Sequence, residues 1–389
     1  MWSWWHDRGV FLELVELGSI LKLEKGRKPV RQDCRCGDGF APYVDIEAFE
    51  TGNIRRYTDG EKCVPCEEGD ILIVCDGSRS GLAGYAVKGY VGSTLAKISA
   101  EGLSGPYLFH FLQGKYSLLN TRKRGTGTPH LDVEMLRGLR LRVPAPSEQE
   151  RTVARLEEQL AQLNAAETRL KAVKEHLRAY RQAVLKEAFS KMERACTVRE
   201  AASLVTSGSR GWARYYSEAG AKFIRIGNLT RDSIRINLEH VQHVSLKSGV
   251  EGSRTRLLPG DVLVSITADL GSIGYVGEDM GEAYINQHIA LVRFRNPSQG
   301  KVMAWYFRSD FGQADLLKNK RGAGKLGLGL EDIRGVKVPF VSEAEGSRIL
   351  ERIEQRFSAC EQMERTIETA LRQSEALRQS ILKKAFEGD

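Results

Sequence analysis

The sequence predicts an α+β fold, in which two mixed α/β domains are separated by two long helices that form an antiparallel coiled coil. Two observations carry this prediction: an internal repeat with a period of roughly 195 residues, and a seven-residue spacing of apolar side chains in two segments. The length agrees, because 389 residues exceed one ordinary hydrophobic core and suit two domains. The order domain, helix, domain, helix then gives the molecule pseudo-two-fold symmetry.

The repeat is clearest where each domain meets its helix. Arg142-Val143-Pro144 returns as Lys337-Val338-Pro339, and the segment 185–189 returns as 382–386. Because similarity at a fixed interval marks duplicated structural units, the chain divides into four parts. The N-terminal domain spans residues 1–146, the first helix 147–192, the C-terminal domain 193–341 and the second helix 342–389.

The two helical segments carry the pattern of a coiled-coil seam. Each begins with a Ser that is followed three residues later by Glu, at 147 and 150 and at 342 and 345, which predicts a capping box at each helix start. Apolar side chains at every seventh position face a partner helix on every second turn. Charge on the remaining faces disfavours the alternative, a globular helical bundle. The predicted seam residues are Leu156, Leu163, Leu170, Leu177, Val184, Ile353, Cys360, Ile367 and Ile381.

Within the domains, apolar runs predict buried strands and longer periodic stretches predict helices. The strands are Ile71–Val74, Val262–Ile266 and Ile289–Phe294, and the helices are Pro106–Leu119 and Val302–Lys318. A Gly-Asp turn precedes one strand in each half, at Asp70 and Asp261. An Asp in such a turn accepts hydrogen bonds from nearby backbone, so we interpret both carboxylates as structural and not as nuclease groups.

The composition is that of a soluble globular protein. The chain is 41% hydrophobic and 28% charged, which excludes the disordered and collagen-like classes. No apolar run reaches the roughly 18 residues of a membrane span, and charge interrupts the Trp-rich start before a signal peptide could form. We therefore expect a cytoplasmic protein without membrane contact.

Five of the seven cysteines fall between Cys34 and Cys75, and they leave two interpretations open. An odd number of cysteines favours free thiols in a reducing compartment. The spacing of Cys34, Cys36, Cys63 and Cys66 approaches that of a four-thiolate zinc site, so zinc is one hypothesis. The alternative is that these cysteines are ordinary small residues in loops and at a strand start.

The net charge of +8 is unevenly distributed. The two helical segments are nearly balanced in acidic and basic residues, so the excess of positive charge lies in the two domains. A basic excess confined to the domains suggests a polyanionic partner, most simply double-stranded DNA.

No complete catalytic motif occurs in the chain. Gly322-Ala323-Gly324-Lys325 looks like part of a phosphate-binding loop, but Asn319 stands where the first Gly is needed and Leu326 follows the Lys. The His-Glu-x-x-His and Gly-x-Ser-x-Gly motifs are missing, and the seven histidines are scattered singly. We predict a binding protein with no catalytic residues and no cofactor.

Candidate DNA-binding residues come from basic, Gly-rich stretches that occupy the same place in both halves. Arg and Lys contact phosphates, whereas Arg, Asn, His and hydroxyl groups also reach base edges. In the first half the candidates are Arg79, Ser80, Lys88, Arg122, Lys123, Arg124, Thr126, Thr128 and His130. In the second half they are Arg210, Arg225, Asn228, Arg231, Lys318, Lys320, Arg321 and Lys325.

The combination of two domains, Val-Pro boundaries and helices that close in Leu-Lys-x-Ala-Phe resembles the specificity subunit of type I restriction-modification systems, the HsdS family. The resemblance covers nearly the whole chain. It implies that each domain is a target recognition domain for one half of a bipartite DNA sequence. It also implies that the helices set the spacer and dock two methyltransferase subunits, to which restriction subunits are added. The four cysteines do not belong to the family's pattern.

Two further hypotheses remain at this stage. One is a self-contained nuclease or methyltransferase with a degenerate motif, which would modify DNA without a partner. The other is a coiled-coil scaffold or adaptor without DNA recognition, whose binding to DNA would not weaken steeply with salt.

Overall fold

The computed structural model of the chain describes residues 14–121, 129–246, 252–318, 320 and 327–387. These residues form two compact units, one ending at Arg169 and resuming at Thr369, the other spanning Leu170–Glu368. Two long helices of 44 and 45 residues each contribute one part to each unit. In the described part of the chain, no helix is both long enough and apolar enough to span a membrane.

The first unit combines short strands and helices with one part of each long helix. In chain order the elements are β1 (Val15–Glu16), α1 (Leu17–Ile20), β2 (Leu21–Lys25), β3 (Ala41–Val44), α2 (Ile46–Thr51), β4 (Tyr57–Thr58), β5 (Pro65–Cys66), β6 (Ile71–Val74), β7 (Ala83–Tyr85), β8 (Gly89–Val91), β9 (Leu95–Ala100), α3 (Gly105–Thr121), α4 (Val133–Arg137), β10 (Arg140–Leu141) and the long helix α5 (Pro146–Phe189).

Two four-stranded sheets lie at the centre of the first unit. The first is antiparallel with the order β2-β9-β6-β7, and the second has the order β4-β3-β8-β5 with β3 and β8 parallel. Strands β1 and β10 pair separately. All four residues of β6 are buried because both faces of its sheet are covered.

The two faces of β6 divide the core of the first unit. Ile71 and Ile73 pack with α3 and with parts of both long helices, whereas Leu72 and Val74 pack with the second sheet. A strand alternates its side chains between faces, so four consecutive apolar residues satisfy both layers. The result is a helical layer, a central sheet and a second sheet.

The second unit contains the remaining elements. In chain order they are β11 (Cys196–Thr197), α6 (Val198–Ala201), β12 (Ala202–Ser207), β13 (Tyr216–Ser217), β14 (Ala221–Ile224), β15 (Gln242–Val244), β16 (Val262–Ser265), β17 (Ile273–Tyr275), β18 (Ala283–Ile285), β19 (Ile289–Phe294), α7 (Gly300–Arg308), α8 (Asp310–Leu317), α9 (Leu330–Arg334), β20 (Lys337–Val338) and the long helix α10 (Glu343–Glu387).

The sheets of the second unit follow a similar plan. An antiparallel sheet has the order β12-β19-β16-β17, and a second sheet has the order β13-β15-β14-β18 with β14 and β18 parallel. Val262 and Val264 face α7 and the long helices, whereas Leu263 faces the second sheet. Each unit therefore has a central antiparallel sheet between helices and a smaller mixed sheet.

The long helices run antiparallel within each unit. In the second unit Lys174 pairs with Glu368 at 3.0 Å, and further along α5 Arg181 pairs with Glu364, also at 3.0 Å. In the first unit Arg378 pairs with Glu167 at 3.0 Å. All nine predicted seam residues are buried or half-buried.

Several predicted elements are confirmed. Strands Ile71–Val74 and Ile289–Phe294 have the predicted bounds, the strand at Val262 ends one residue early, and α3 extends the predicted helix at both ends. The helix predicted over Val302–Lys318 was wrong in one respect. It is two helices, because the Ser309 side chain accepts the Gly312 amide and starts α8 there.

Of the two predicted capping boxes, the described residues show one half of one, a backbone amide bonded to the Ser side chain just before the second long helix. Ser342 Oγ accepts the Glu345 amide at 3.4 Å just before α10. Helix α5 instead begins at Pro146, ahead of Ser147, and the Ala145 carbonyl accepts the first amide hydrogen bonds. Proline is well suited to the first helical position, which explains why the helix starts earlier than predicted.

The two Gly-Asp turns behave as predicted. Asp70 accepts the Glu67 amide at 2.8 Å, and Asp261 accepts the Leu258 amide at 2.8 Å. Each carboxylate is also neutralised by a cation from the neighbouring strand: Lys97 at 2.6 Å for Asp70 and Arg293 at 2.7 Å for Asp261.

Candidate nucleic-acid interface

In each unit the central sheet and the smaller mixed sheet meet at one edge that carries several loops. In the first unit this edge consists of residues 26–31, 75–82, 92–94 and 129–131; in the second unit of residues 208–211, 225–240, 266–272 and 286–288. We call each set the loop edge of its unit. Gly26 and Gly208 allow two backbone segments to approach each other closely at this edge, since a Cβ at either position would lie 2.2 Å from a carbonyl oxygen of the other segment.

An ionic cluster organises the loop edge of the first unit. Asp76 accepts from Lys25 Nζ at 2.8 Å and lies 2.7 Å from His130 Nδ1. Partial burial by itself would raise the pKa of Asp76, but hydrogen bonds from Lys25 and His130 outweigh it and lower that pKa from its ordinary value. The carboxylate therefore holds two exposed cationic or polar groups at this edge.

The described residues on both sides of the basic segment 122–128 bond to the same edge. Before it, Asn120 at the end of α3 donates to the Ser78 and Ser80 carbonyls, both at 3.0 Å. After it, the Gly77 amide donates to the Pro129 carbonyl at 2.8 Å, and His130 forms a β-bridge with Asp76. The candidates Arg122, Lys123, Arg124, Thr126 and Thr128 lie outside the described residues.

The remaining first-half candidates differ in their surroundings. Arg79 and Lys88 are exposed and pair with Glu50 at 2.8 Å and Glu67 at 3.1 Å. Ser80 corrects the prediction, because its hydroxyl is fully buried and out of reach of a ligand on the surface.

A polar groove of about 430 Å³ lies at the loop edge of the second unit. The groove begins where the parallel strands β14 and β18 end, so the residues that follow both strands converge there. Its polar lining residues are Arg225, Asn228, Asn237, His240, Asn286 and His288.

Hydrogen bonds orient one rim of this groove. Gln287 Nε2 lies 2.9 Å from His288 Nε2, and His288 Nδ1 lies 2.8 Å from Thr267 Oγ1. Because an amide nitrogen only donates, His288 accepts at Nε2 and donates from Nδ1 to Thr267. These two hydrogen bonds hold the Gln287 amide in one orientation at the loop edge.

The second-half candidates separate into surface groups and one supporting group. Arg210 and Arg231 are exposed, Arg231 pairs with Asp269, and this pair lowers the pKa of Asp269. Asn228 corrects the prediction because its buried amide accepts from the Arg225 amide and donates to the Asn237 carbonyl, both at 2.9 Å. It supports the groove wall instead of contacting a ligand.

The second basic segment also leads to a loop edge. Lys318 and Lys320 are exposed near the end of α8, and Gly327 forms a β-bridge with Thr267 in the β16–β17 loop. Arg321 and Lys325 lie outside the described residues. In both units, the described residues that flank the basic segment lie at a helix end and beside the loop that follows the equivalent strand, β6 or β16.

The chemistry of both edges suits recognition of nucleic acid. Exposed Arg and Lys side chains bind phosphate, and Arg, Asn, Gln and His side chains can hydrogen-bond to base edges. The two edges differ in chemical character, since the first carries an ionic cluster and the second an amide-rich and imidazole-rich groove.

Comparison with known proteins agrees with this assignment. The family model described as "Type I restriction modification DNA specificity domain" matches residues 12–175. The type I restriction enzyme EcoBI specificity subunit of Escherichia coli is 24% identical over 90% of this chain and 80% of its own length. The EcoDI specificity subunit of Escherichia coli is 23% identical over 96% of this chain and 88% of its own length.

The chain is similar over most of its length to type I restriction-modification specificity subunits, and its residues 12–175 match the family's DNA specificity domain. A solved structure described as "Structural basis underlying complex assembly and conformational transition of the type I R-M system" has the same fold. It matches with a TM-score of 0.70 at 16% identity, covering 96% of this chain and 97% of the other.

Sequence reasoning missed several residues of the loop edges. Lys25 was not predicted although it anchors the ionic cluster, and Gln287 was not predicted although His288 orients it. Arg27 and Lys28 are exposed beside Lys25 and make no ion pair with any described residue. The run Lys25-Gly26-Arg27-Lys28, a Gly flanked by three cations, is the signal that would have found this part of the edge.

The zinc hypothesis is not supported by the positions of the cysteines. Among the described residues, no three His, Cys, Asp or Glu side chains are grouped so that they could hold a metal. Cys34 and Cys36 are exposed, whereas Cys66 is buried and its thiol donates to the Val87 carbonyl at 3.4 Å. Burial raises the pKa of Cys66 to about 11, which disfavours the thiolate that zinc requires.

Proposed function

We propose that this specificity subunit recognises a bipartite sequence in double-stranded DNA, with each globular domain reading one half. One observation supports the proposal: in both units a residue that follows the basic, Gly-rich segment, His130 or Gly327, forms a β-bridge with the loop after the equivalent strand of the central sheet. Phosphate contacts from the basic groups would position each domain, and the side chains of the loop edge would read bases in the major groove.

We also propose the domain organisation predicted from the sequence, with boundaries at residues 1–146, 147–192, 193–341 and 342–389. The similar sheet orders of the two units support an internal duplication. The burial of residues at seven-residue intervals and the antiparallel ion pairs within each unit support a coiled coil between the helices. On this basis the helices are the spacer between the two recognition domains.

The proposed contact residues are the predicted set without its two buried members and with three further residues. Buried Ser80 and Asn228 are left out, and exposed Lys25 and Arg27 and half-buried Gln287 are added. The retained residues are Arg79, Lys88, Arg122, Lys123, Arg124, Thr126, Thr128, His130, Arg210, Arg225, Arg231, Lys318, Lys320, Arg321 and Lys325.

The subunit acts without catalysis of its own and directs partner subunits to DNA. Two methyltransferase subunits would dock on the helices, and restriction subunits would join through that complex. Two half-sites increase the discrimination between DNA sequences, because each good bidentate base contact contributes about 1–3 kcal/mol. A fixed linkage between the two domains adds the contributions of their two sets of base contacts.

The test is a methylation map. The chain is co-expressed with its methyltransferase partner, and modified positions in host DNA are located by single-molecule sequencing. A split motif with a constant gap is the expected result. A stable complex that methylates nothing, with DNA binding insensitive to salt, would contradict the proposal and favour a coiled-coil scaffold.

Two variants test which domain reads which half of the DNA motif, and each variant is the control for the other. Arg225→Ala removes a group from the groove of the second unit, and His130→Ala removes one from the edge of the first. Each should relax base preference in one half of the motif, and the two should affect different halves. Changes in the same half would contradict the assignment of one domain to each half.

A further inference from the structure

A turn of three residues joins β18 to β19 at the loop edge of the second unit. It consists of Asn286, Gln287 and His288. The Ile289 amide donates to the Asn286 carbonyl at 3.3 Å, and the His288 amide donates to Asn286 Oδ1 at 3.1 Å. Strand β18 pairs with β14, and β19 lies between two neighbours in the central sheet. Gln287 therefore lies in a short turn that is anchored at both ends.

The Gln287 side chain presents one donor and one acceptor to its surroundings. Its Nε2 carries two N–H groups, and one of them donates to His288 Nε2 at 2.9 Å. The second N–H and Oε1 make no hydrogen bond with a described residue. Oε1 is not among the buried unpaired atoms of the described residues, so solvent reaches it. A ligand at the loop edge can therefore use both groups.

The loop that holds the His288 ring is itself constrained. His288 donates from Nδ1 to Thr267 Oγ1 in the loop between β16 and β17. The next residue, Ala268, has a φ of 57°, a left-handed conformation that is costly for a residue with a Cβ. The Ser265 hydroxyl donates to a carbonyl of the same loop and accepts the Ser272 amide at 2.8 Å. The loop thus fixes Thr267, and through it the imidazole ring.

The first unit has a turn at the same place with shorter side chains. Residues 92–94 join β8 to β9. The Thr94 carbonyl accepts an amide of the loop after β6 at 2.8 Å, as the His288 carbonyl accepts an amide of the loop after β16 at 3.0 Å. Ser93 therefore occupies the position of Gln287, and a single hydroxyl cannot offer a separate donor and acceptor with the same reach. The two units differ in chemistry at an equivalent point of the loop edge.

We propose that Gln287 reads one adenine in the half-site of the second unit, and that His288 is the positioning residue that fixes the amide for this contact. In the major groove adenine presents N7 as an acceptor and its N6 amino group as a donor. The free N–H of Gln287 would donate to N7, and Oε1 would accept from N6. The inference rests on the proposed function, since it names a base that one loop edge reads.

The orientation of the amide favours adenine over the other three bases. Guanine presents two acceptors, N7 and O6, so one of them would face Oε1. Cytosine offers only a donor, and thymine offers O4 and a methyl group, so each would satisfy one amide group and leave the other unpaired. An amide turned by 180° would present two N–H groups and suit guanine. His288 opposes that orientation, because its Nε2 accepts from the amide nitrogen.

The experiment measures DNA binding by the methyltransferase complex that contains the full chain. The duplexes carry the mapped split motif, and each base pair of the second-unit half is replaced in turn at one salt concentration. The variants are Gln287→Ala and His288→Ala. The control is Gln299→Ala, which removes an amide that donates to the Val341 carbonyl just before α7, outside the loop edge. Thermal denaturation checks that each variant remains folded.

The expected result is a loss of base preference at one A·T position. Wild type and Gln299→Ala should bind about tenfold less well when that pair is replaced. Gln287→Ala should bind all four bases there equally and keep its preferences elsewhere in the motif. His288→Ala should reduce the same preference, and it should add nothing in the double variant with Gln287→Ala, because it acts through the amide.

A modified base tests whether the contact is direct. 7-Deazaadenine pairs with thymine but lacks the N7 acceptor. At the position identified above it should weaken wild-type binding by about threefold or more and leave Gln287→Ala unchanged. Gln287→Glu keeps an acceptor and loses the donor, so it should be insensitive to 7-deazaadenine. It should also bind cytosine at least as well as adenine, because a carboxylate accepts from cytosine N4.

Several results would overturn the inference and leave the proposed function intact. One is a split motif in which Gln287→Ala keeps every base preference, and another is an equal loss of affinity for all duplexes, which would indicate a phosphate contact. Relaxation at a G·C position, or sensitivity of Gln287→Ala to 7-deazaadenine, would equally exclude the adenine contact. If the wild-type complex directs no split-motif methylation, the proposed function itself fails.

Discussion

Asp70 and Asp261 have the same structural role in the two units. Each closes a turn through a backbone amide three residues earlier and pairs with a cation from the next strand of its sheet. The Gly-Asp pattern was sufficient to predict the turn. It was not sufficient to predict the cation. Lys97 and Arg293 lie roughly thirty positions further along the chain and reach the Asp only because their strands pair with the strand after the turn.

Asp261→Asn should destabilise the second unit by about 3 kcal/mol, since it leaves Arg293 without its carboxylate in a buried site. The Asp261 side chain is 0% exposed and that of Arg293 is 26% exposed. The matched change Asp70→Asn should cost less than about 1 kcal/mol, because the Asp70 and Lys97 side chains are 27% and 28% exposed and solvent screens the pair. Urea unfolding of both variants measures the difference; equal losses would contradict the reasoning from burial.

Asp76 should make stability depend on pH in the acid range. Its pKa in the folded protein lies below the ordinary value of about 3.9, so the ionised carboxylate stabilises the fold above that pH. This contribution is lost as the pH falls through the folded-state pKa. The melting temperatures of wild type and Asp76→Asn should therefore differ at pH 6, and the difference should shrink as the pH falls below the ordinary pKa of about 3.9. A gap that stays constant over this range would show that the carboxylate charge contributes nothing.

Ser80 and Asn228 mark the limit of sequence reasoning about the site. Hydroxyl and amide groups in basic, Gly-rich loops either contact a ligand or support the loop, and residue type alone does not distinguish these roles. The Ser80 carbonyl accepts from Asn120, and Asn228 joins the Arg225 amide to the Asn237 carbonyl. These partners lie up to 40 positions away, so burial follows from tertiary packing that the local pattern does not contain.

At the scale of elements, strands with a continuous apolar sequence were predictable, and the short strands of the mixed sheets were not. Strands β6 and β19 are fully or largely buried, and a continuous apolar run identifies such strands. The mixed sheets are built from strands of two to four residues that include Pro65 and Gly89, and these are too short for an alternating pattern. Their pairing comes from the turns and from packing against the central sheet.

The two long helices should respond differently to loss of the Ser at their start. Ser342→Ala removes the hydrogen bond to the Glu345 amide and should cost about 1 kcal/mol. Ser147→Ala should be nearly neutral, because α5 already begins at Pro146 and Gln149 anchors its first turn through the Gly102 and Pro144 carbonyls. Thermal denaturation of the two variants compares them directly, and an equal loss would indicate that Ser147 also caps its helix.

At the scale of the whole molecule, helix length is the proposed determinant of the gap between half-sites. Seven residues inserted into both α5 and α10 preserve the heptad pattern and add about 10 Å to each helix. Since base pairs rise by about 3.4 Å, the unread gap should widen by about three base pairs. A methylation map of the variant measures the gap, and an unchanged motif would show that the helices do not set its length. An insertion in one helix alone breaks the pairing and serves as the negative control.

The core of the first unit includes side chains from the far end of the sequence. Leu382 and Phe386 of α10 are buried among α3 residues, and the Phe386 ring contacts Tyr107 and Phe111 edge-on. During synthesis the N-terminal domain emerges from the ribosome first, yet its hydrophobic core stays incomplete until residue 386 has been translated. The second unit needs nothing beyond Glu368. The domain made first is therefore the one whose folding finishes last, and its apolar α3 face must be protected from aggregation for nearly the whole time of translation.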